Sequence, residues 1–139
     1  MVSAEIIAIG TELLLGEILD TNTRFLARQL QKIGVNVYRA SIVGDNSIRI
    51  AEAIRESLNR ADVVITSGGL GPTVDDPTRD AVAIAFEVEN EFQHELWLQI
   101  EDRFSRRGLK PTENNRRQAY LPIGAVGIPN IVGTAPAFY

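Results

Sequence analysis

The stretch Asp62-Val63-Val64-Ile65-Thr66-Ser67-Gly68-Gly69-Leu70-Gly71-Pro72-Thr73-Val74-Asp75-Asp76-Pro77-Thr78 runs from a short apolar segment through a glycine-rich turn to a helix start. Residues 62–66 are apolar between their ends, as a central parallel strand covered on both faces would be. A strand that enters a helix through such a turn places orphan backbone N–H groups and the positive end of the helix dipole side by side, the usual seat of an anion. Gly68, Gly69 and Gly71 permit positive φ and close approach of backbone to ligand. Leu70 and Pro72 complete the turn as expected ligand contacts, and Thr73 and Thr78 offer hydroxyls. Asp75 and Asp76 together would repel a phosphate unless a cation intervened; a hard divalent ion held by carboxylates, water and phosphate resolves the conflict. Asp76-Pro77 also reads as an N-cap followed by the first helical residue, so Asp76 is either a cap alone or a cap that also meets ligand. The segment matches neither a Walker loop nor a dinucleotide fingerprint, and the turn by itself is equally compatible with a structural role.

Outward from this loop the pattern alternates. Residues 5–9 read as a buried strand ending at Gly10, followed by a polar loop. A helix is expected over 22–33, with Phe25, Leu26, Leu30 and Ile33 on its inner face and Gly34 past its end. A β-branched strand over 35–43 turns through Gly44-Asp45-Asn46 into a helix over 47–60, with Ile50, Ala53, Ile54 and Leu58 inward. The order β-α-β-α-β implies right-handed crossovers onto a mostly parallel sheet with helices on both sides, an α/β/α arrangement. Further helices are expected over 77–86 and 91–107, the latter capped by Gly108. A third helical piece starts near Thr112, whose side chain can cap it, and ends at Leu121-Pro122. Residues 126–128 read as another strand.

Ligands of such sheets sit beyond the C-terminal ends of the strands, which selects the loops 10–21, 44–46 and 67–76. In the first, Gly10, Thr11, Glu12, Asp20 and Asn22 are candidates to face a pocket, with Asn22 alternatively the helix N-cap. Leu14 and Leu15 in this loop must pack on something, either the sheet edge or another subunit. Asp45 is a turn residue or a ligand contact. Gly133 and Thr134 offer an N–H and a hydroxyl near the same end of the sheet. His94, the sole histidine, reads as an ordinary helix residue, and Trp97, Ile100 and Phe104 as core. Arg103, Arg106, Arg107 and Lys110 read as a solvated helix face.

The totals exclude several classes. At 139 residues with 45% apolar content, one domain with a sizeable core is expected. Without cysteine there is no disulfide, thiolate metal site or thiol nucleophile, which fits a cytoplasmic location. The net charge of −4 argues against general nucleic-acid binding, and no apolar run is long enough to span a membrane.

Four motifs in order, Ile-Gly-Thr-Glu-Leu-Leu-Leu-Gly (9–16) with Thr-Asn (21–22), Val-Gly-Asp-Asn (43–46), Ser-Gly-Gly-Leu-Gly-Pro-Thr-Val-Asp-Asp-Pro-Thr (67–78) and Asn-x-x-Gly-Thr-Ala-Pro (130–136), resemble the N-terminal domain of the CinA family, called competence/damage-inducible. That domain belongs to the molybdopterin-binding superfamily with MoaB, MogA and a domain of MoeA. The resemblance spans essentially the whole chain. It implies a three-layer α/β/α fold and a cytoplasmic homo-oligomer, dimer or trimer. It further implies binding of molybdopterin or a nucleotide, and, for CinA-like members, ADP-ribose pyrophosphatase activity dependent on a divalent metal such as Mg²⁺ or Co²⁺. By position, Gly68, Gly69, Gly71, Thr73, Asp75, Asp76 and Thr78 fall in the motif resembling the phosphate and nucleotide site, while Glu12, Asn22, Asp45 and Thr134 fall in flanking loops. Asp75 and Asp76 are then the metal ligands and Asp45 or Glu12 the base. Ala137 stands where the family usually has glycine, which would restrict the backbone if positive φ were needed there. The family domain continues with a further strand and helix, which this chain is expected to lack.

Overall fold

The computed structural model describes all residues, 1–139, in two compact units, Met1–Gly69 and Leu70–Tyr139. The first holds β1 (Ser3–Ile9), α1 (Thr11–Leu14), α2 (Thr21–Lys32), β2 (Asn36–Val43), α3 (Ser47–Leu58) and β3 (Val63–Ser67). β1 pairs in parallel with both neighbours, Ile6 standing opposite Ala40 on one side and Ile65 on the other, in the order β2-β1-β3. Right-handed crossovers in that order put α2 and α3 on opposite faces. The parallel α/β class expected from the alternation is therefore what forms. The central strand, however, is β1, whose Ile6 and Ile7 are fully buried, and not β3, which ends the sheet with Val63 40% exposed. Both strands are apolar, so composition alone could not rank them.

Helix α3 contributes Ile50, Ala51 and Ile54 to this core, with Ser57 taking the inner position expected of Leu58. Ser57 faces Glu5, a buried carboxylate on β1 that Arg60 grips through Nε at 2.9 Å and a second nitrogen at 3.0 Å. That fork, less burial and helped by Ser57, holds the Glu5 carboxyl down at about 2 against an ordinary 4.5. α2 departs from expectation more widely. None of its residues is buried, and Phe25 and Ile33 are 61% and 74% exposed. Its amphipathic spacing is real, but only one layer of the sheet lies beneath it, and Leu26 and Leu30 take that contact half-buried.

The second unit holds α4 (Thr78–Phe86), β4 (Asn90–Phe92), α5 (His94–Ser105), α6 (Glu113–Arg116), a 3₁₀ turn (Arg117–Ala119), β5 (Tyr120–Pro122), β6 (Gly127–Ile128) and β7 (Ala137–Phe138). The helix expected from 91 begins three residues later. Asn90-Glu91-Phe92 are extended and pair antiparallel with Pro122-Leu121-Tyr120, so Leu121-Pro122 belong to a strand rather than ending a helix. This pairing is long-range and leaves no local signal. The helical piece after Thr112 forms with Thr112 as its N-cap, in a capping box where the Asn115 carboxamide reaches back to accept from the Thr112 N–H at 2.8 Å and the Thr112 hydroxyl at 2.9 Å. Leu96, Ile100, Ala119 and Leu121 make the core, with Trp97 and Phe104 packed on it as expected. His94 is exposed at the start of α5. Ala137 lies in β7, paired with Ile128, and needs no positive φ: Glu87 is the one non-glycine residue with φ in that region.

Candidate functional site

Parallel register sets the first group of expected residues. Because Ile9 stands opposite Val43 and Ala8 opposite Ser67, the three strands deliver their following loops at one edge. There the Thr11 N–H donates to Asp45 Oδ2 at 3.0 Å and the Asp45 N–H donates to Thr11 Oγ1 at 3.0 Å, a reciprocal clasp between two loops. Asp45 is thus more than a turn residue, and its second carboxylate oxygen stays available. Glu12 folds back over Gly10 so closely that a β-carbon there would lie 2.6 Å from Oε1. Asn22 is not the N-cap of α2. Asp20 holds that place, accepting from the Thr23 N–H at 2.9 Å, which frees the Asn22 carboxamide to donate to Ser67 Oγ at 3.0 Å. The strand order reverses between β1 and β3, and such a switch point is where open α/β sheets bind ligands. Here Gly68, at φ 106°, crosses the Ile9 carbonyl at a distance no β-carbon could tolerate, while Gly69 continues at φ 66°. Leu14 and Leu15 stay 56% and 67% exposed, so the sheet edge does not cover them.

In the second unit the glycine loop is organised by side chains. Asp76 is not the N-cap of α4; Pro77 occupies that position and no side chain caps it. The Asp76 carboxylate turns back into the loop, accepting from the Thr73 N–H at 2.9 Å and the Thr73 hydroxyl at 2.7 Å, with the Gly71 N–H also engaged. It fills the space over Gly71 where a β-carbon would stand. Burial pushes the Asp76 carboxyl up, but these donors and the nearby Arg79 charge more than reverse that, leaving it below the ordinary carboxylate range. From the other side Arg79, almost fully buried, donates to the Leu70 carbonyl at 2.9 Å and the Gly71 carbonyl at 2.6 Å. Loop carbonyls are pinned by a cation, loop amides by an anion. Arg79 was invisible as a site residue in the sequence because an arginine in a first helical turn usually reads as solvated. Thr78 is buried and already engaged within the protein, Pro72 is half-buried, and Asp75 is exposed.

Beside this loop a cavity of about 320 Å³ is lined by Thr73, Asp76, Arg79, Asp80, Asn90, Arg117 and Tyr120. The β4–β5 pairing brings Asn90 and Tyr120 to it. Gly133 and Thr134 line a different cavity, of about 440 Å³, with Arg103 and Arg106. Their loop is built on Asn130, whose Oδ1 accepts from the Val132 and Gly133 N–H groups and whose Nδ2 donates to the Ala135 carbonyl at 2.8 Å. Arg103 donates to the Asn130 carbonyl and, with Arg107, to that of Val132, so two cations expected on a solvated face fasten this loop instead. Buried Gln118 donates to Thr134 Oγ1 at 3.4 Å, which leaves the hydroxyl proton free to point outward.

No group of three or more His, Cys, Asp or Glu side chains is placed to hold a metal. Asp75 is exposed, and the Asp76 carboxylate is given to the donors of its own loop, so these two acids alone make no cation site.

The family model described as "Probable molybdopterin binding domain" matches residues 5–138. A "Putative competence-damage inducible protein" of Alkaliphilus oremlandii is 50% identical over 96% of the chain and 32% of its own length. A "CinA-like protein" of Parasynechococcus marenigrum is 49% identical over 95% of the chain and 32% of its own length. The chain thus spans about a third of the curated relatives it matches. Among solved structures, the CinA protein of Thermoplasma acidophilum, described as of unknown function, superposes with TM-score 0.90 at 32% identity, over 98% of this chain and 79% of that one. MoaB of Thermus thermophilus shares the fold at TM-score 0.57 and 23% identity, over 72% and 63%. The parallel sheet, the four loop motifs and these likenesses agree: the chain belongs to the molybdopterin-binding domain family, in its CinA-like branch.

Proposed function

We propose that the chain binds a phosphate-bearing small molecule of the pterin or nucleotide kind, molybdopterin, AMP or ADP-ribose. The observation that carries this reading is the glycine loop from Leu70 to Thr73, locked by Arg79 and Asp76 into a shape set before any ligand arrives. Preorganisation of this kind lowers the ordering cost of binding. Thermal shift with AMP, ADP-ribose and a pterin tests it: stabilisation that grows with ligand concentration is expected, and no shift with any of the three removes the reading.

A second reading, hydrolysis of the ADP-ribose pyrophosphate, is favoured by the two adjacent acids Asp75 and Asp76 that follow the glycine loop. Water would attack one phosphorus, the bridging P–O bond would break, and AMP and ribose 5-phosphate would leave. Asp75 and Asp76, together with the substrate's phosphates, would hold Mg²⁺ or Co²⁺, which when bound neutralises phosphate charge and acidifies water. Release of AMP that requires added metal and disappears in Asp76→Ala supports this; full turnover in that variant refutes the metal assignment. We further propose a cytoplasmic homo-oligomer, dimer or trimer, in which exposed Leu14, Leu15 and Leu19 become covered. Light scattering of Leu15→Glu against the parent chain checks the assembly. No helix is long and apolar enough to cross a membrane.

A further inference from the structure

In the Leu70–Tyr139 unit the amides of Gly71 and Thr73, where a phosphate would ordinarily settle, already serve the Asp76 carboxylate. A ligand phosphate therefore meets an anion in that hollow. The cavity next to it is also bordered by Asp76 and Asp80, but it adds the guanidinium groups of Arg79 and Arg117. Arg117 projects from the 3₁₀ turn with a guanidinium that takes part in none of the chain's ion pairs or side-chain hydrogen bonds, whereas neighbouring Arg103, Arg106 and Arg116 are all engaged. It stands close enough to buried Arg79 that its charge helps, after burial, to lower the Arg79 pKa. Asp76 and Asp80 balance the charge of Arg79 on this wall, whereas Arg117 has no ion-pair partner, so the cavity holds one uncompensated guanidinium that an anion would satisfy. On the same wall Asn90 donates to Asp80 Oδ1 at 2.7 Å, but its own Oδ1 is buried without a partner. Such an acceptor is costly unless a donor reaches it. The Thr73 and Tyr120 side chains complete a lining of mixed donors and acceptors.

We infer that this cavity, and not the glycine amides, receives the phosphate of a phosphorylated sugar, with the anion against Arg117 and a sugar hydroxyl donating to Asn90 Oδ1. The volume of about 320 Å³ lies at the small end of ligand pockets and suits one sugar phosphate rather than a whole dinucleotide. The glycine loop then acts as a wall whose shape Arg79 and Asp76 maintain. This inference rests on the proposed binding of a phosphorylated ligand and names the group that holds it.

Calorimetric titration of the chain with ribose 5-phosphate and with inorganic pyrophosphate, at fixed ionic strength, tests the site. Arg117→Ala is expected to weaken both at least tenfold and Arg117→Lys less, while the melting temperature without ligand stays unchanged because Arg117 is exposed. Nitrogen-15 spectra provide the second readout: pyrophosphate should shift the Arg117 Nε–H resonance and leave the Gly71 N–H in place. Equal affinity of parent and Arg117→Ala, or movement of Gly71 and Thr73 amides with a still Arg117, overturns the assignment. If AMP and ADP-ribose bind but ribose 5-phosphate does not, the inference fails and the broader binding proposal stands. If none binds, both fall.

Discussion

The loops that follow β1 and β2 and the glycine loop that opens the second unit are fixed by different means. The first two are aligned by strand register, so the Thr11–Asp45 clasp closes between loops that the sheet has already set side by side. The Leu70–Thr73 segment has no ladder to hold it. One buried guanidinium and one carboxylate supply its order, the former taking carbonyls and the latter taking amides. Backbone scaffolds announce themselves through periodicity. Side-chain scaffolds do not, because the residues that build them look ordinary until the chain is folded.

The sharpest way to break this contrast is Arg79→Met, which keeps the volume and removes the fork. Two carbonyls and the Asp76 charge then lose their buried partner, a loss of about 4 kcal/mol by the usual cost of breaking a buried charge interaction, read by urea unfolding. A cost below about 1 kcal/mol would mean that the loop holds itself. Arg79→Lys should fall between, since a point cation cannot serve both carbonyls with planar geometry. Gly68→Ala comes next, at about 3 kcal/mol, because the new β-carbon meets the Ile9 carbonyl at a backbone angle that L residues rarely adopt. This change strikes the sheet side of the comparison, so it should lower the unfolding midpoint even in the presence of AMP or ADP-ribose.

Acid separates the two regions by titration. Glu5 holds its carboxyl near 2 in the folded chain and would titrate near 4.5 when unfolded, so the unfolded state binds more protons between these values. Its stabilisation is complete above about pH 4.5 and is lost as pH falls toward 2. Asp76, also depressed, adds loss below its ordinary 3.8 in the same direction. Glu5→Gln should flatten the acid limb of a stability–pH curve and cost about 2 kcal/mol at pH 7, whereas Asp76→Asn should change that limb less, being less buried. The smallest effect sharpens the assignment around α2. Asp20→Ala should cost about 1 kcal/mol as a lost N-cap, and Asn22→Ala less than half of that, with the melting temperature as the measure. Reversed ranks would return the cap to Asn22.

Much of the first unit could be read from residues alone. The β-α-β-α-β order, the turn at Asp45 and the glycine at 68 all follow from local spacing and from the few conformations that glycine uniquely permits. Burial was less legible: Phe25 and Ile33 carry a helical stripe, yet remain exposed because amphipathic spacing names a face and cannot say how much protein covers it. In the second unit the β4–β5 pairing was missed because its two strands are three residues each and nearly thirty apart, too short for alternation to register. The cavity that depends on this pairing was missed with it.

Sequence by itself determined the parallel α/β class, the family and the loops that carry its motifs, since each depends on interactions within a few residues or on a spacing repeated along the chain. Only the tertiary structure decided that β1 is the central strand, that Asp76 turns into its own loop rather than capping α4, and that Arg79 and Arg117 face one cavity. Those outcomes rest on which distant groups meet in a space short of water, where a charge or a carbonyl must find a partner and the chain offers only one within reach.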